Sequence, residues 1–222
     1  MLYLYNTQAG QASLTLEGDE HRYIFKVRRH KLDDTLYLRN LEDGLLHRYL
    51  ITQINKRIVH LVLQESSILD VKASKSLHLG WCMIDPKSIE KILPSLNEIG
   101  VEKITFIYCK RSQKSFKLDF KRLKKILLNS SQQSGRSQMM TLEMNESLAD
   151  FLKEYPNAKM LNFSENNFIS STDIDTIVIG CEGGFHKEEA ALFDTKNIIG
   201  FDTPLVLKSE SAVCAVASQV LL

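Results

Sequence analysis

The hydrophobic pattern of the chain changes near residues 70 to 76, and this change limits the folds open to the sequence. Before it, short stretches of β-branched and aromatic residues, such as Leu45 to Ile54 and Ile58 to Leu63, are separated by turn residues such as Glu42-Asp43-Gly44. A helical stretch over Glu20 to Arg29 interrupts them. Five or six strands in about 70 residues predict a small β-barrel, which closes its own edges.

After this change, strands alternate with helices. Leu77 to Met83 and Thr176 to Gly180 are typical of buried strands, whereas Lys87 to Glu98 and Asp119 to Ser134 are typical of helices. Such alternation predicts a parallel sheet covered on both faces. We therefore expect an α/β chain of two domains, residues 1–70 and 71–222, that closes with a helix from Ser209 to Leu222.

Composition excludes several classes of function. Lys and Arg total 28 against 27 Asp and Glu, a net charge of +1, so any binding to nucleic acid must use local patches. The four cysteines form no CxxC pair and the six histidines lack metal-ligand spacing, which predicts reduced thiols and no metal in a cytoplasmic protein. The sequence shows no signal-peptide pattern, and its longest nearly apolar stretch, Ala212 to Leu222, is too short to span a membrane.

A glycine loop follows the strand Thr176 to Gly180. Gly180, Gly183 and Gly184 allow the backbone to approach a ligand closely. The loop has neither the GxGxxG pattern nor a following GK[ST], which argues against a dinucleotide site and against a P-loop. Because Glu182 would repel a phosphate, a neutral or cationic ligand suits this loop better. An ordinary glycine turn is the alternative.

A second candidate segment runs from Leu205 to Ala215. Ser209 is predicted to be the N-cap of the closing helix, and Glu210 interacts favourably with the positive end of the helix dipole. Small residues such as Ala212 permit close packing against another backbone. A capped core helix without a chemical role is the alternative.

Two basic clusters lie in this nearly neutral chain, one within residues 21–31 and the other within residues 110–125. Two such clusters favour contact with RNA phosphates, with a solvated helix face as the alternative. Arg136 follows the glycine that ends the long helix, where it either reaches back to the last carbonyls or contacts a phosphate or base. The residues expected to bind RNA are Arg28, Arg29, Arg111, Lys114 and Arg136.

Four short segments, spread over nearly the whole chain, carry a family resemblance. They are His21 with Lys26-Val-Arg-Arg29, Arg111-Ser112 with Gln133-Ser-Gly-Arg136, Val178-Ile-Gly-Cys-Glu-Gly-Gly-Phe185, and Leu207-Lys-Ser-Glu-Ser-Ala212. In this order they resemble the H…KVLR, ERS…EQSGR, IGPEGGF and LRTETA motifs of the RsmE-type RNA methyltransferases, members of the SPOUT class. Each motif alone is weak, but the four in order are specific.

The resemblance implies a PUA-like β-barrel followed by a SPOUT α/β domain whose C-terminal segment is threaded into a trefoil knot. It also implies a homodimer and S-adenosylmethionine as the methyl donor. The implied acceptor is N3 of one uridine, uracil-1498, in the 16S RNA of the small ribosomal subunit.

The resemblance also assigns roles to residues. Arg136 and Glu210 are expected to act in catalysis, Arg136 by stabilising negative charge on the uracil carbonyls or fixing a phosphate, and Glu210 by orienting the site. In this chain Cys181 replaces the loop proline, and Phe201 to Leu205 replaces the family's G-x-R. The residues expected to bind the donor are Ile179, Gly180, Glu182, Gly183, Gly184, Gly200, Val206, Leu207 and Ser209.

Two other interpretations remain open. One is an RNA-binding or ribosome-assembly factor that has this fold without the chemistry, which would not bind the methyl donor. The other is a SPOUT methyltransferase that acts on tRNA, which the identity of the methylated RNA would reveal.

Overall fold

The computed structural model describes residues 3–168 and 173–222, which divide into two compact units. The first unit comprises the N-terminal residues up to Lys72 together with Ser131–Gln138. The second comprises Ala73–Ser130 and Met139–Leu222.

The first unit is built on a five-stranded sheet with the strand order β1-β3-β4-β5-β2. Strand β1 pairs parallel to β3, and the other pairs are antiparallel. Apolar side chains alternate along the strands, so that in β2 Leu14 and Leu16 are buried between exposed neighbours. The strands are β1 (Leu4–Tyr5), β2 (Ser13–Glu17), β3 (Thr35–Arg39), β4 (Leu45–Ile54) and β5 (Ile58–Ile68).

The predicted helical interruption in the first unit is confirmed, but it has two parts. An α-helix, α1 (Gly18–Arg22), continues directly into a π-helical turn over Tyr23–Val27. Ile24 of this turn is buried against the sheet. Arg29, just beyond it, has a left-handed backbone with φ of 60°.

The second unit contains a six-stranded sheet in which every pairing is parallel, as predicted from the alternation of strands and helices. The strand order is β11-β9-β10-β6-β7-β8. The strands are β6 (His78–Cys82), β7 (Lys103–Ile107), β8 (Thr141–Asn145), β9 (Lys159–Leu161), β10 (Thr176–Ile179) and β11 (Ile198–Ile199).

Among the described residues, five α-helices accompany this sheet. Helix α2 begins with Pro at its first position and ends at Gly100, whose φ of 114° requires glycine. Helix α6 packs against α2 and against β10. The helices are α2 (Pro86–Ile99), α3 (Phe120–Ser134), α4 (Leu148–Glu154), α5 (Lys187–Ala190) and α6 (Ser209–Leu221).

The expectation of reduced thiols is wrong for Cys82 and Cys109. These two residues form a disulfide, with Cα atoms 5.8 Å apart. Because β6 and β7 are neighbours, with Cys82 opposite Ile107, the chain that leaves β7 brings Cys109 beside Cys82. Sequence spacing does not reveal this pairing, since it depends on which strands are adjacent.

Among the residues that the structure describes, every helix is too short or too polar to cross a lipid bilayer.

His78, the first residue of β6, is a buried imidazole. Its Nε2 lies 2.8 Å from Oγ1 of Thr105, and its ring centroid lies 4.5 Å from that of Tyr155. Burial, aided by the positive charge of Lys103, lowers the pKa of His78 to about 4. The imidazole is therefore neutral in the folded protein at pH 7.

We expect the free energy of unfolding to fall as the pH drops from about 6.5, the pKa of an unfolded histidine, towards about 4. In this window the unfolded chain binds a proton that the folded chain does not, which costs at most about 1.4 kcal/mol for each pH unit. Urea unfolding between about pH 7 and pH 5, followed by the fluorescence of Trp81, the single tryptophan, measures the slope. His78→Gln should abolish it, whereas His60→Gln in the first unit should retain it. Equal slopes in both variants would contradict the assignment.

Candidate functional site

A pocket of about 260 Å³ lies at the carboxyl ends of β9 and β10. The glycine loop after β10 forms one wall, and the segment before α6 forms another. Ligands of parallel sheets bind at this edge, where strand order reverses, as it does between β10 and β6. Eight of the nine residues expected to bind the donor line the pocket: Ile179, Gly180, Glu182, Gly183, Gly184, Val206, Leu207 and Ser209.

Gly200, the ninth residue, does not line the pocket. A Cβ at this position would lie 2.8 Å from the carbonyl oxygen of Asn162 and 3.0 Å from the backbone nitrogen of Ser164. Gly200 therefore allows two backbone segments to pack closely, while its neighbour Phe201 reaches the pocket.

Sequence reasoning missed several other lining residues. Asn162 and Phe163 directly follow β9, and the signal that points to them is the meeting of parallel strand ends at one edge of a sheet. Those around Thr203 lie in the segment that departs from the family pattern, where no motif pointed to them. The lining residues outside both candidate segments are Leu161, Asn162, Phe163, Phe201 and Thr203. Four further lining residues, Cys181, Phe185, Leu205 and Ala212, lie within those segments but were not assigned to the donor individually.

The glycine loop is tight. Gly184 adopts φ of 66°, and its backbone N–H donates to the carbonyl of Cys181 at 2.8 Å. A Cβ on Gly180 would lie 3.2 Å from the ring of Phe185 and 3.3 Å from the Cα of Gly184. A larger residue at Gly180 would therefore crowd the loop that lines the pocket.

The prediction that Ser209 caps α6 is wrong, since Lys208 occupies the N-cap position and makes no side-chain capping bond. The Ser209 hydroxyl instead donates to the carbonyl of Gly180 at 2.6 Å. The same hydroxyl accepts a hydrogen bond of 2.8 Å from Nε1 of Trp81. This buried chain joins β6, the glycine loop and the start of α6 within the second unit.

Ser209→Ala is expected to lower the free energy of unfolding by about 1–3 kcal/mol for each buried group that loses its partner, here the Trp81 N–H and the Gly180 carbonyl. Urea unfolding measured by Trp81 fluorescence gives this value. Ser211→Ala, at an exposed position in the same turn, is the matched control and should change stability by less than about 0.5 kcal/mol. Equal losses in the two variants would exclude this role for Ser209.

Glu210 lies in the first turn of α6, where the helix dipole favours a carboxylate. Its Oε2 atom is buried and has no hydrogen-bond partner among the described residues. A buried carboxylate oxygen without a partner is costly, so this atom has unused capacity to accept a hydrogen bond from a water or a ligand.

A second contact network joins the glycine loop to the segment after β7. The buried carboxylate of Glu189 accepts hydrogen bonds of 2.8 Å from the backbone N–H groups of both Lys110 and His186. The guanidinium of Arg111 donates to the carbonyl of Gly183. Arg111, expected to bind RNA, is thereby placed beside a residue that lines the pocket.

The basic cluster continues towards α3. Lys114 is exposed, and so are Lys121, Lys124 and Lys125 in the first turns of the helix; none of them forms an ion pair with a described acid. Arg122 differs, since it pairs with Glu90 at 2.7 Å. Because cations are unfavourable at a helix N-terminus, this arrangement costs helix stability and suits a surface that binds an anion.

The other expected RNA-binding residues belong to the first unit. Arg28 donates through Nε to the hydroxyl of Tyr23 at 2.9 Å, and Arg29 is exposed. Arg136 is buried, and its carbonyl accepts a hydrogen bond of 2.9 Å from the hydroxyl of Tyr3. Burial raises the pKa of Tyr3 to about 12, so this hydroxyl remains a donor at neutral pH.

Within the described ranges, no group of three or more His, Cys, Asp or Glu side chains is placed to hold a metal ion.

Residues 71–221 match the family model described as the RNA methyltransferase domain. The chain belongs to this RNA methyltransferase family. It is 39% identical over 222 residues to the ribosomal RNA small subunit methyltransferase E of Helicobacter pylori strain 26695, covering 98% of both chains. The protein of the same name from Rickettsia conorii is 26% identical, with 99% of this chain and 93% of that protein covered. The resemblance to the RsmE methyltransferases is thereby confirmed.

Two solved structures have a fold similar to that of this chain. A Legionella pneumophila methyltransferase in complex with SAM is similar with a TM-score of 0.79 at 22% identity, over 99% of this chain and 96% of that one. A Neisseria gonorrhoeae ribosomal RNA small subunit methyltransferase E bound to S-adenosylmethionine gives a TM-score of 0.78 at 16% identity, over 98% and 95%.

Proposed function

We propose that this protein transfers the methyl group of S-adenosylmethionine to N3 of a uridine, uracil-1498, in the 16S RNA of the small ribosomal subunit. The observation that carries the proposal is the pocket in which the glycine loop after β10 meets the segment before α6. Membership of the RNA methyltransferase family and the names of the relatives support the reaction.

The chemistry of the pocket suits this donor. Among the described lining residues no Lys or Arg is present, and Glu182 is the one charged side chain. Such a site disfavours the phosphates of a nucleotide and accommodates an adenosine and a cationic sulfonium. The partnerless Oε2 of Glu210, in the first turn of the helix that follows, adds a second negative group in this segment.

The donor supplies an electrophilic methyl group, and the protein must prepare the acceptor. N3 of uracil is a weakly acidic imide and a poor nucleophile while protonated, so the site must hold N3 in line and help to remove or delocalise its proton. We assign to Arg136 the stabilisation of negative charge on the uracil carbonyls, as preorganised cations do. Glu210 orients the site.

Contact with the RNA backbone is assigned to the basic residues of both units. In the second unit, the phosphates contact Arg111, which is held by the carbonyl of Gly183, and the exposed Lys114. In the first unit, they contact Arg28 and Arg29. Phosphate contacts position an RNA without reading its sequence, so choice of the target uridine must come from other groups.

We also propose the finer features of the family fold, namely a PUA-like barrel, a trefoil knot and a homodimer. Exposed apolar side chains in the pocket lining support the homodimer: Phe163, Leu205 and Val206 are 71–77% exposed. A partner copy that covers them would remove this apolar surface from water. Light scattering on the purified protein tests the dimer, and a monomer would exclude it.

The function is tested with purified protein, tritiated S-adenosylmethionine and small ribosomal subunits from cells that lack this gene. We expect label in the 16S RNA and 3-methyluridine by nucleoside mass spectrometry. A parallel reaction contains bulk tRNA from the same cells in place of the subunits, and label in that tRNA with none in the 16S RNA would indicate the tRNA methyltransferase. No transfer, together with no donor binding by calorimetry, would indicate an assembly factor without the chemistry.

A further inference from the structure

A second pocket, of about 480 Å³, is formed by residues of the first unit alone. Its volume falls within the range of small-molecule sites, roughly 300–1,000 Å³. Three tyrosines, Tyr3, Tyr23 and Tyr37, line it together with Arg28 and His30. An aromatic cavity that also contains cationic or polar groups is suited to a flat, anionic ligand.

Two of the three aromatic rings, those of Tyr3 and Tyr23, are held by contacts with other groups. Tyr3 is buried, its hydroxyl donates to the carbonyl of Arg136, and the guanidinium carbon of Arg39 lies 5.5 Å from its ring centroid. Tyr23 and Tyr37 are half-buried, so each ring combines a packed part with an accessible part. Rigid, partly accessible aromatic rings are the surfaces on which unpaired bases stack in RNA-binding proteins.

Arg28 supplies the cation of this pocket. Its guanidinium carbon lies 5.4 Å from the ring centroid of Tyr23, and its Nε donates to the hydroxyl of the same tyrosine. Its two terminal nitrogens donate to no described residue, so they are available to an anion. An arginine held on an aromatic ring in this way presents its charge at low entropic cost.

The charges around the pocket select an anion. No acidic residue is among the described lining residues, and the neighbouring Arg22, Lys26 and Arg29 are exposed. Asp34, in the turn before β3, is engaged by Nδ1 of His30 at 3.3 Å and by the backbone N–H of Lys31 at 2.8 Å.

The backbone that presents these groups is unusual. Tyr23 and Ile24 belong to the π-helical turn, and Arg29 holds a left-handed conformation with φ of 60°. Rare backbone states of this kind cost free energy and concentrate at functional sites. This segment therefore departs from regular structure at the point where it lines the cavity.

We propose that this pocket binds one unpaired nucleotide of the RNA substrate, with its base stacked against Tyr23 and Tyr37 and a phosphate on Arg28. The proposal rests on the proposed function for the RNA as partner. It adds to the phosphate contact of Arg28 a base-binding site that is formed by the first unit alone. Such a site selects RNA that carries an unpaired base.

The test is equilibrium binding of the full chain, without methyl donor, to a fluorescein-labelled, single-stranded RNA octamer of mixed sequence. We expect Tyr37→Leu to weaken binding about 10-fold or more, the effect of losing one stacked base, and Tyr37→Phe to retain it. Tyr5→Leu, a half-buried tyrosine of the same unit outside the pocket, is the matched control and should bind as the unmodified protein does.

Unchanged binding by Tyr37→Leu, an equal loss in Tyr5→Leu, or competition by a duplex of the same sequence as strong as by the single strand would each overturn the proposal. Circular dichroism verifies the fold of each variant. Because the assay contains no methyl donor, its outcome is independent of methyl transfer, so failure of this proposal and failure of the proposed function are distinguishable.

Discussion

Gly180→Val is expected to weaken S-adenosylmethionine binding at least about 100-fold and to abolish methyl transfer with it. A Cβ alone at this position would lie 3.2 Å from the ring of Phe185 and 3.3 Å from the Cα of Gly184, closer than ordinary van der Waals contact. The two γ-methyl groups of valine add volume where the glycine loop borders the pocket. Isothermal titration calorimetry with the donor measures the loss.

Cys181→Ala provides the matched control for Gly180→Val, since it changes the next residue of the same loop and removes volume instead of adding it. We expect its donor affinity to stay within about threefold of the unmodified protein, a difference of about 0.7 kcal/mol. Thermal unfolding monitored by Trp81 distinguishes a blocked pocket from an unfolded one. Donor binding by Gly180→Val at the original affinity would exclude this pocket as the donor site.

Arg136→Ala is expected to lower the rate of methyl transfer at least about 100-fold, the loss found when one preorganised charge-stabilising group is removed from an active site. The affinity for the donor should remain unchanged, because Arg136 is assigned to the acceptor uracil. Single-turnover transfer to small ribosomal subunits, with calorimetry of the donor in parallel, separates these two effects.

Two further variants refine the Arg136 test. Arg136→Lys keeps the positive charge and should recover part of the rate. If the role of Arg136 were purely structural, the charge of the lysine would not restore the rate. Arg57→Ala removes an exposed arginine in the turn between β4 and β5 and should transfer methyl groups normally. Full activity in Arg136→Ala would show that Arg136 takes no part in catalysis.

Local patterns predicted most of the elements. The alternation of apolar and polar residues in Leu14-Thr15-Leu16 is typical of a strand, and β2 lies there. Gly100 is typical of a helix end, and it follows α2 with a left-handed backbone. Strand β8 (Thr141–Asn145) was missed, since it lies at the edge of the sheet and its partly exposed residues lack the apolar run of a central strand.

Local sequence patterns could not predict features that depend on the order of the strands in the sheet. The disulfide between Cys82 and Cys109 follows from β6 and β7 being neighbours in the sheet. Ser209 was predicted as a cap because serine favours that position, but burial against the Gly180 carbonyl gives its hydroxyl a different partner. Tertiary contacts overrode a local preference in this case.

The position of β10 has a consequence for how the chain is made. This strand occupies the middle of the sheet, where Val178 lies opposite both Gly80 and Met160, yet the ribosome synthesises it after β6, β7, β8 and β9. A nascent chain therefore exposes the inner edges of β6 and β9 until β10 emerges, and such open edges attract other strands. The second unit cannot complete its sheet during most of its own translation, so nascent chains stalled before Thr176 are expected to be the aggregation-prone form of this protein and the form that chaperones bind.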